Sequence, residues 1–325
     1  MHPAFSVIFL TTLIGLGQGL FLALATAQIY SAVEVVPVQK SPEFYGYGSA
    51  IALVLLIGGL MASFLHLGHP ERAWRAASQW RTSWLSREVI VLPVFMGFVA
   101  LYGFLHWMGW DFTVVQITEN LVIPFTMIIA VIGTVVCFSL FLATGMIYAS
   151  LKFLQEWASM LTVINFILLG AASGFTLATV FAIFRAGELV YLFGGWAIIL
   201  TAAAMITRVA SLIRNYNLKP ISTPKSAIGV RHAKISQIEQ GAMGGSYNTR
   251  EYFHGRTITT VKIVKWAFLI MVFIMPLILI SAGLTMHRGE LFIYALVIQY
   301  LGLIAERWYF FAQANHPQNI YYQAT

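Results

Sequence analysis

HLGHPERAWRAASQWRTSWLSRE, residues 66–88, packs four arginines, two histidines, two glutamates and three tryptophans into one short stretch. Apolar runs flank it on both sides, Gly46–Leu67 before it and Val89–Trp110 after it. Each run is long enough to cross about 30 Å of hydrocarbon as a helix of about 20 residues. The stretch therefore reads as a polar connection between two membrane spans. Gly68 and Pro70 break the first helix, and Pro70 suits the first position of a new one. From Glu71 to Trp80 a short amphipathic helix fits, with Trp74, Trp80 and Trp84 suited to the membrane interface. Ser86 is placed to cap the next span, with Glu88 in its first turn, where the helix dipole favours a negative charge.

Outward from this stretch the same pattern repeats. Of 325 residues, 59% are hydrophobic and 10% charged, far below the roughly 25% charge of soluble domains. Eight runs qualify as spans: Phe5–Val33, Gly46–Leu67, Val89–Trp110, Leu121–Ala149, Trp157–Phe184, Leu189–Ser211, Val264–Met286 and Leu291–Phe311. They are continuously apolar and do not alternate, which favours helices over a barrel. The expectation is an all-α integral membrane protein, a single membrane domain over residues 1–325. It is an eight-transmembrane-helix bundle with a short interfacial helix and one long loop, residues 212–260. The first run has no preceding Lys or Arg and is too long for a signal segment, so it is expected to be a permanent span.

Charge sets the expected orientation. With eight spans, both termini and the connections after spans two, four and six share one side. Sixteen of the 19 Lys and Arg residues fall there, and only Lys40, Arg185 and Arg288 fall on the other. The positive-inside rule places that side, with both termini, in the cytoplasm, and the expected location is a bacterial inner membrane. It also accounts for the net charge of +7 without nucleic acid. The long loop mixes Ile, Met, Tyr and Phe with its charges, which suits docking against a protein better than a disordered linker. Arg231, His232, Arg250 and Tyr252 are its candidate docking residues.

The lone cysteine, Cys137, excludes internal disulfides and a self-contained iron–sulfur cluster, which needs about four thiolates. Two histidines at similar depth would be needed for haem b, but His66 and His106 lie at opposite ends of their spans. No haem, iron–sulfur cluster or molybdenum is expected in this chain. Gln18, Asn165 and Gln299 are the clearest polar residues near span centres and are expected to bond helix to helix. No internal repeat appears, which argues against a transporter.

His66 and Glu88 close the opening stretch at the ends of two adjacent antiparallel spans. A histidine can donate and accept protons near neutral pH, and a partly dry carboxylate can relay them. That pair suits the headgroup of a lipid-dissolved quinone (ubiquinone or menaquinone), whose two-electron conversion moves two protons. Arg72 or Arg75 is placed to hold the headgroup or the carboxylate. The alternative is that the arginines and tryptophans only anchor an interfacial helix and that His66 is structural.

The segments SFLHLGHP…RAWRA and WRTSWLSRE resemble the membrane-anchor subunit of DMSO-reductase-type molybdoenzymes, and length and span number agree along the whole chain. The resemblance implies a metal-free, quinone-binding subunit that docks a four-cluster iron–sulfur protein beside a molybdopterin catalytic subunit. It places the family's quinol-site histidine on His66 and its carboxylate on Glu88. The loop segments SAIGVRH and MGGSYNTREYFHG resemble the anchor of the cytoplasmic sulfite-oxidising complex within that family. Electrons would then run from sulfite to quinone. The alternatives are a quinol-oxidising anchor of a DMSO, polysulfide or tetrathionate reductase, a passive tether, and a non-redox transporter.

Overall fold

The computed structural model describes residues 1–39, 41–116, 122–230, 232, 235 and 253–317. Eight apolar helices dominate it: α1 (Phe5–Ala32), α2 (Tyr47–Phe64), α3 (Trp84–Met108), α4 (Phe125–Ala149), α5 (Met160–Arg185), α6 (Val190–Tyr216), α7 (Ile258–Met286) and α8 (Glu290–Ala312). All are long and apolar enough to span a membrane. Their order makes the end of α2, the start of α3 and the ends of α4, α6 and α8 share one face. Met1 N donates to Ala314 O there at 2.8 Å.

The bundle is built around α1 and α5. Each is 72% buried over its most apolar window, whereas the other six lie between 33% and 39%. Gly15 and Gly19 on α1 meet Gly170 and Gly174 on α5, and a Cβ on Gly19 or Gly174 would fall on the partner's backbone. Two small-xxx-small stripes thus let two membrane helices approach at backbone distance, where dispersion rather than hydrophobicity holds them. Phe21 on α1 then packs edge-on against Phe95 and Tyr102 of α3, at 5.4 and 5.6 Å.

The polar residues near span centres bridge helices. Gln18 Nε2 donates to Cys137 O at 3.0 Å, and Thr207 Oγ1 donates to Asn165 Oδ1 at 2.8 Å. Gln299 Nε2 donates to Thr201 Oγ1 and to Val272 O, at 3.3 and 3.4 Å. The last bond has a backbone cause. Pro276 has no N–H to offer the carbonyl four residues before it, which is that of Val272. The helix widens into a π turn at Ile270–Ile274, and the Gln299 amide supplies the missing donor.

Helix ends depart from the apolar runs because capping, not hydropathy, sets them. Ser83, in extended conformation, accepts from Ser86 N at 3.4 Å, so α3 starts at Trp84. Ser83 rather than Ser86 is the cap, and Glu88 lies one turn deeper than expected. Thr257 caps α7 in the same way, ahead of the apolar run, and α6 continues to Tyr216. On the opposite face, Thr113–Gln116 pairs antiparallel with Val122–Pro124, a short strand pair that the sequence did not suggest.

Candidate functional site

After α2 the chain makes two turns and enters a 3₁₀ helix, Pro70–Gln79, with Pro70 in its first turn. None of its residues is buried, which fits a segment lying on the bundle's rim. Ser86 Oγ donates to Ala76 O and ties this segment to the first turn of α3. Arg87 reaches back to Trp80 O and Arg81 O at 3.0 and 2.8 Å, and lies over the Trp84 ring at 4.1 Å. The connection is therefore pinned by side chain-to-backbone bonds from α3 rather than by its own burial.

Between α1, the end of α2, the 3₁₀ segment and α3 lies a cavity of about 350 Å³. Its walls are apolar: Leu10, Leu60, Phe64, Trp74, Leu85, Leu92 and Pro93. His66 and Glu88 both line it. His66 is exposed, whereas Glu88 is 7% exposed and forms the cavity's inner polar group. Thr144 on α4 donates to Glu88 Oε1. Pro93 removes the helical partner of the Val89 carbonyl, and both residues line the cavity.

The structure thus brings together two of the four expected quinone residues. Arg72 and Arg75 are exposed on the 3₁₀ segment and do not line the cavity. Arg72 lies 3.6 Å from Glu71, and Arg75 lies over the Trp74 ring at 5.6 Å. Of the expected docking residues, His232 is exposed. Arg231, Arg250 and Tyr252 lie outside the described residues. His106, at the far end of α3, is buried between Tyr45 and Tyr102, each ring 4.5 Å away.

One cluster is not expected from the sequence. Arg208 on α6 and Glu306 and Arg307 on α8 are 2%, 0% and 4% exposed, inside the bundle. Arg208 Nε lies 2.7 Å from Glu306 Oε1, and Arg307 Nε lies 2.6 Å from Glu306 Oε2. The Arg307 guanidinium also covers the Phe166 ring at 4.1 Å. The available signal is the adjacent acid and base in LIAERWYFF, one helical turn inside an apolar run. By sequence, both arginines count only toward the orientation of the spans.

An apolar bundle of eight helices long enough to span a membrane, with a rim segment and a cavity at one end, defines a multi-pass membrane protein. Residues 1–311 match the DMSO reductase anchor subunit family (DmsC), and the chain belongs to that family. It is 52% identical over 324 residues to a sulfite dehydrogenase subunit of Allochromatium vinosum, covering 100% of this chain and 99% of that one.

Proposed function

We propose that this chain binds a quinone in the cavity between α2, the 3₁₀ segment and α3, and passes electrons between an iron–sulfur partner subunit and the membrane quinone pool. The observation that carries the reading is that His66 and Glu88 line one apolar cavity at the end of the bundle. Its volume falls within the range of about 300–1,000 Å³ usual for small-molecule sites. Apolar walls with few polar groups fit an isoprenoid-tailed ring that needs hydrogen-bond partners at its two oxygens. The quinone, when bound, supplies two-electron, two-proton chemistry.

Within that chemistry, the His66 imidazole, at the exposed end, holds or delivers a proton at a ring oxygen and exchanges it with water. The Glu88 carboxyl, with Thr144 fixing Oε1, presents its other oxygen as the second proton-bearing group. Leu60, Phe64 and Leu92 exclude water from the ring between them. The identity with a sulfite dehydrogenase subunit supports quinone reduction driven by sulfite oxidation on a molybdopterin partner. The charge bias supports cytoplasmic placement of the His66 face. Exposed Tyr216, Ile221 and Trp266 on that face, beside the long loop, support docking of the iron–sulfur subunit there.

The test is His66→Ala in the assembled complex, read as quinone-coupled turnover and as binding of a hydroxyquinoline N-oxide quinone analogue. Both are expected to fall, while artificial-dye turnover at the partner subunits persists. Unchanged quinone coupling would remove His66 from the site.

A further inference from the structure

Glu88 lines two voids. Besides the apolar cavity, it borders a chamber of about 30 Å³ deeper in the bundle, together with Thr11, Gln18, Thr144, Ser173 and Arg307. A quinone ring does not fit such a volume. A water needs about 10–15 Å³ of this kind of space and two to four polar partners, and the chamber offers both. Arg307 is 4% exposed, and its Nη1 has no hydrogen-bond partner among the described residues. A buried guanidinium N–H left unpaired costs several kcal/mol by the usual magnitudes, and the chamber that the Arg307 side chain borders has room for a water to pair it.

Charge points to the same partner. Arg208 and Arg307 share one carboxylate, Glu306, which leaves this buried triad with one surplus positive charge. An ionised Glu88 across the chamber brings the set of four to neutrality. Among the described residues, the other titratable groups beside Glu88 are His66 at the end of α2 and Tyr148 on α4, and neither carries a fixed positive charge.

We propose that Arg307, braced by Glu306 and Arg208, is the counter-charge to Glu88 through a water in this chamber, and so a positioning residue that lets Glu88 release its proton. It rests on the quinone reading of Glu88. With electrons arriving from the iron–sulfur subunit, each turnover takes one proton from Glu88 Oε to a quinone oxygen. The carboxylate left behind is held by the Arg307 charge until water restores its proton. Without the surplus charge, the low-dielectric interior favours the neutral acid, and the proton is retained.

The test compares Arg307→Gln, Arg307→Lys and Arg208→Gln with the parent complex. The infrared stretch of the protonated Glu88 carboxyl, assigned by its loss in Glu88→Gln, is expected to be stronger at neutral pH in Arg307→Gln. Arg208→Gln removes the same surplus from the far end of the triad and is expected to give the same change should Arg307→Gln fail to assemble. Arg307→Lys restores the parental band. Quinone-coupled kcat falls by about a hundredfold in Arg307→Gln, the size of effect seen on losing one preorganised hydrogen-bond donor, while analogue affinity is unchanged. In a Glu88→Gln background, Arg307→Gln costs almost nothing further. An unchanged band in both Gln variants, or an equal loss in the Glu88→Gln background, overturns the proposal. Failure of the quinone reading shows differently: Glu88→Gln and His66→Ala would then leave analogue binding and turnover intact.

Discussion

The Thr144 hydroxyl donates to Glu88 Oε1 across the α3–α4 contact, so a carboxyl shared by two voids is fixed by a helix that lines only one of them. That bond fixes one of the two carboxyl oxygens. Thr144→Val keeps the volume and removes the donor. Leaving a buried acceptor unsatisfied costs about 1–3 kcal/mol, and misplacing the carboxyl is expected to lower quinone-coupled kcat by about tenfold, or about 1.4 kcal/mol of barrier. Thr144→Ser is expected to recover most of it. Steady-state kinetics on the assembled complex read the difference, and parental rates in Thr144→Val would make the bond incidental.

The arginines of the rim segment are expected to matter less than the tryptophan between them. Arg72 and Arg75 stay outside the cavity, whereas Trp74 forms part of its wall. Arg72→Gln and Arg75→Gln should each leave quinone-coupled turnover within about twofold, since exposed charges here contribute about 0–1 kcal/mol. Trp74→Ala opens the cavity to water and should raise KM for quinone and weaken analogue binding. A loss in Arg75→Gln as large as in Trp74→Ala would bring that guanidinium back into the site.

Much of this was legible because membrane physics is severe. Unpaired backbone is not tolerated in hydrocarbon, so continuous apolar runs had to be helices, and the eight helices follow. That His66 and Glu88 would lie near one another was legible because one closes the second span and the other opens the third, and both line one cavity. What stayed hidden depends on which face of a helix looks inward. Glu306 and Arg307 sit beside each other near a helix end, where snorkelling to the interface is the ordinary expectation. Only the packing of α8 against α5 and α7 shows that they turn inward, where Glu306 meets Arg208 of α6. Likewise Arg72 and Arg75 share a face, but that face looks away from the cavity.

Glu156, in the link between α4 and α5, has a burial that sets the sign of a pH dependence. Burial raises its carboxyl above the ordinary range, and hydrogen bonds to backbone N–H groups, including that of Asn315, together with the charges of Met1 and Arg214 offset this only in part. The folded chain thus binds this proton more tightly than the unfolded chain. Stability carries no penalty below the ordinary carboxylate pKa and falls as pH rises through the window up to the raised one. Glu156→Gln is expected to raise the thermal midpoint at neutral pH, with the gain shrinking to nothing on acidification below pH about 4. A gain that is independent of pH would sink this account.

The α1–α5 contact predicts opposite signs for one chemical change at two glycines. A methyl at Gly174 would fall on the backbone of Gly19, in the most buried helix pair of the bundle. Gly174→Ala must push the two helices apart, and overpacking of this kind costs about 1–3 kcal/mol. Gly97 lies in the middle of α3, with nothing within 4 Å of an added Cβ. There the methyl meets no neighbour and removes backbone freedom from the unfolded chain, which stabilises a helix by about 0.5–1 kcal/mol. Thermal unfolding of the two variants in the same detergent should therefore move in opposite directions from the parent, Gly174→Ala down and Gly97→Ala up by a smaller amount. A parental midpoint in Gly174→Ala would mean that the helices have room to spare, and that the glycine stripes do not set their distance.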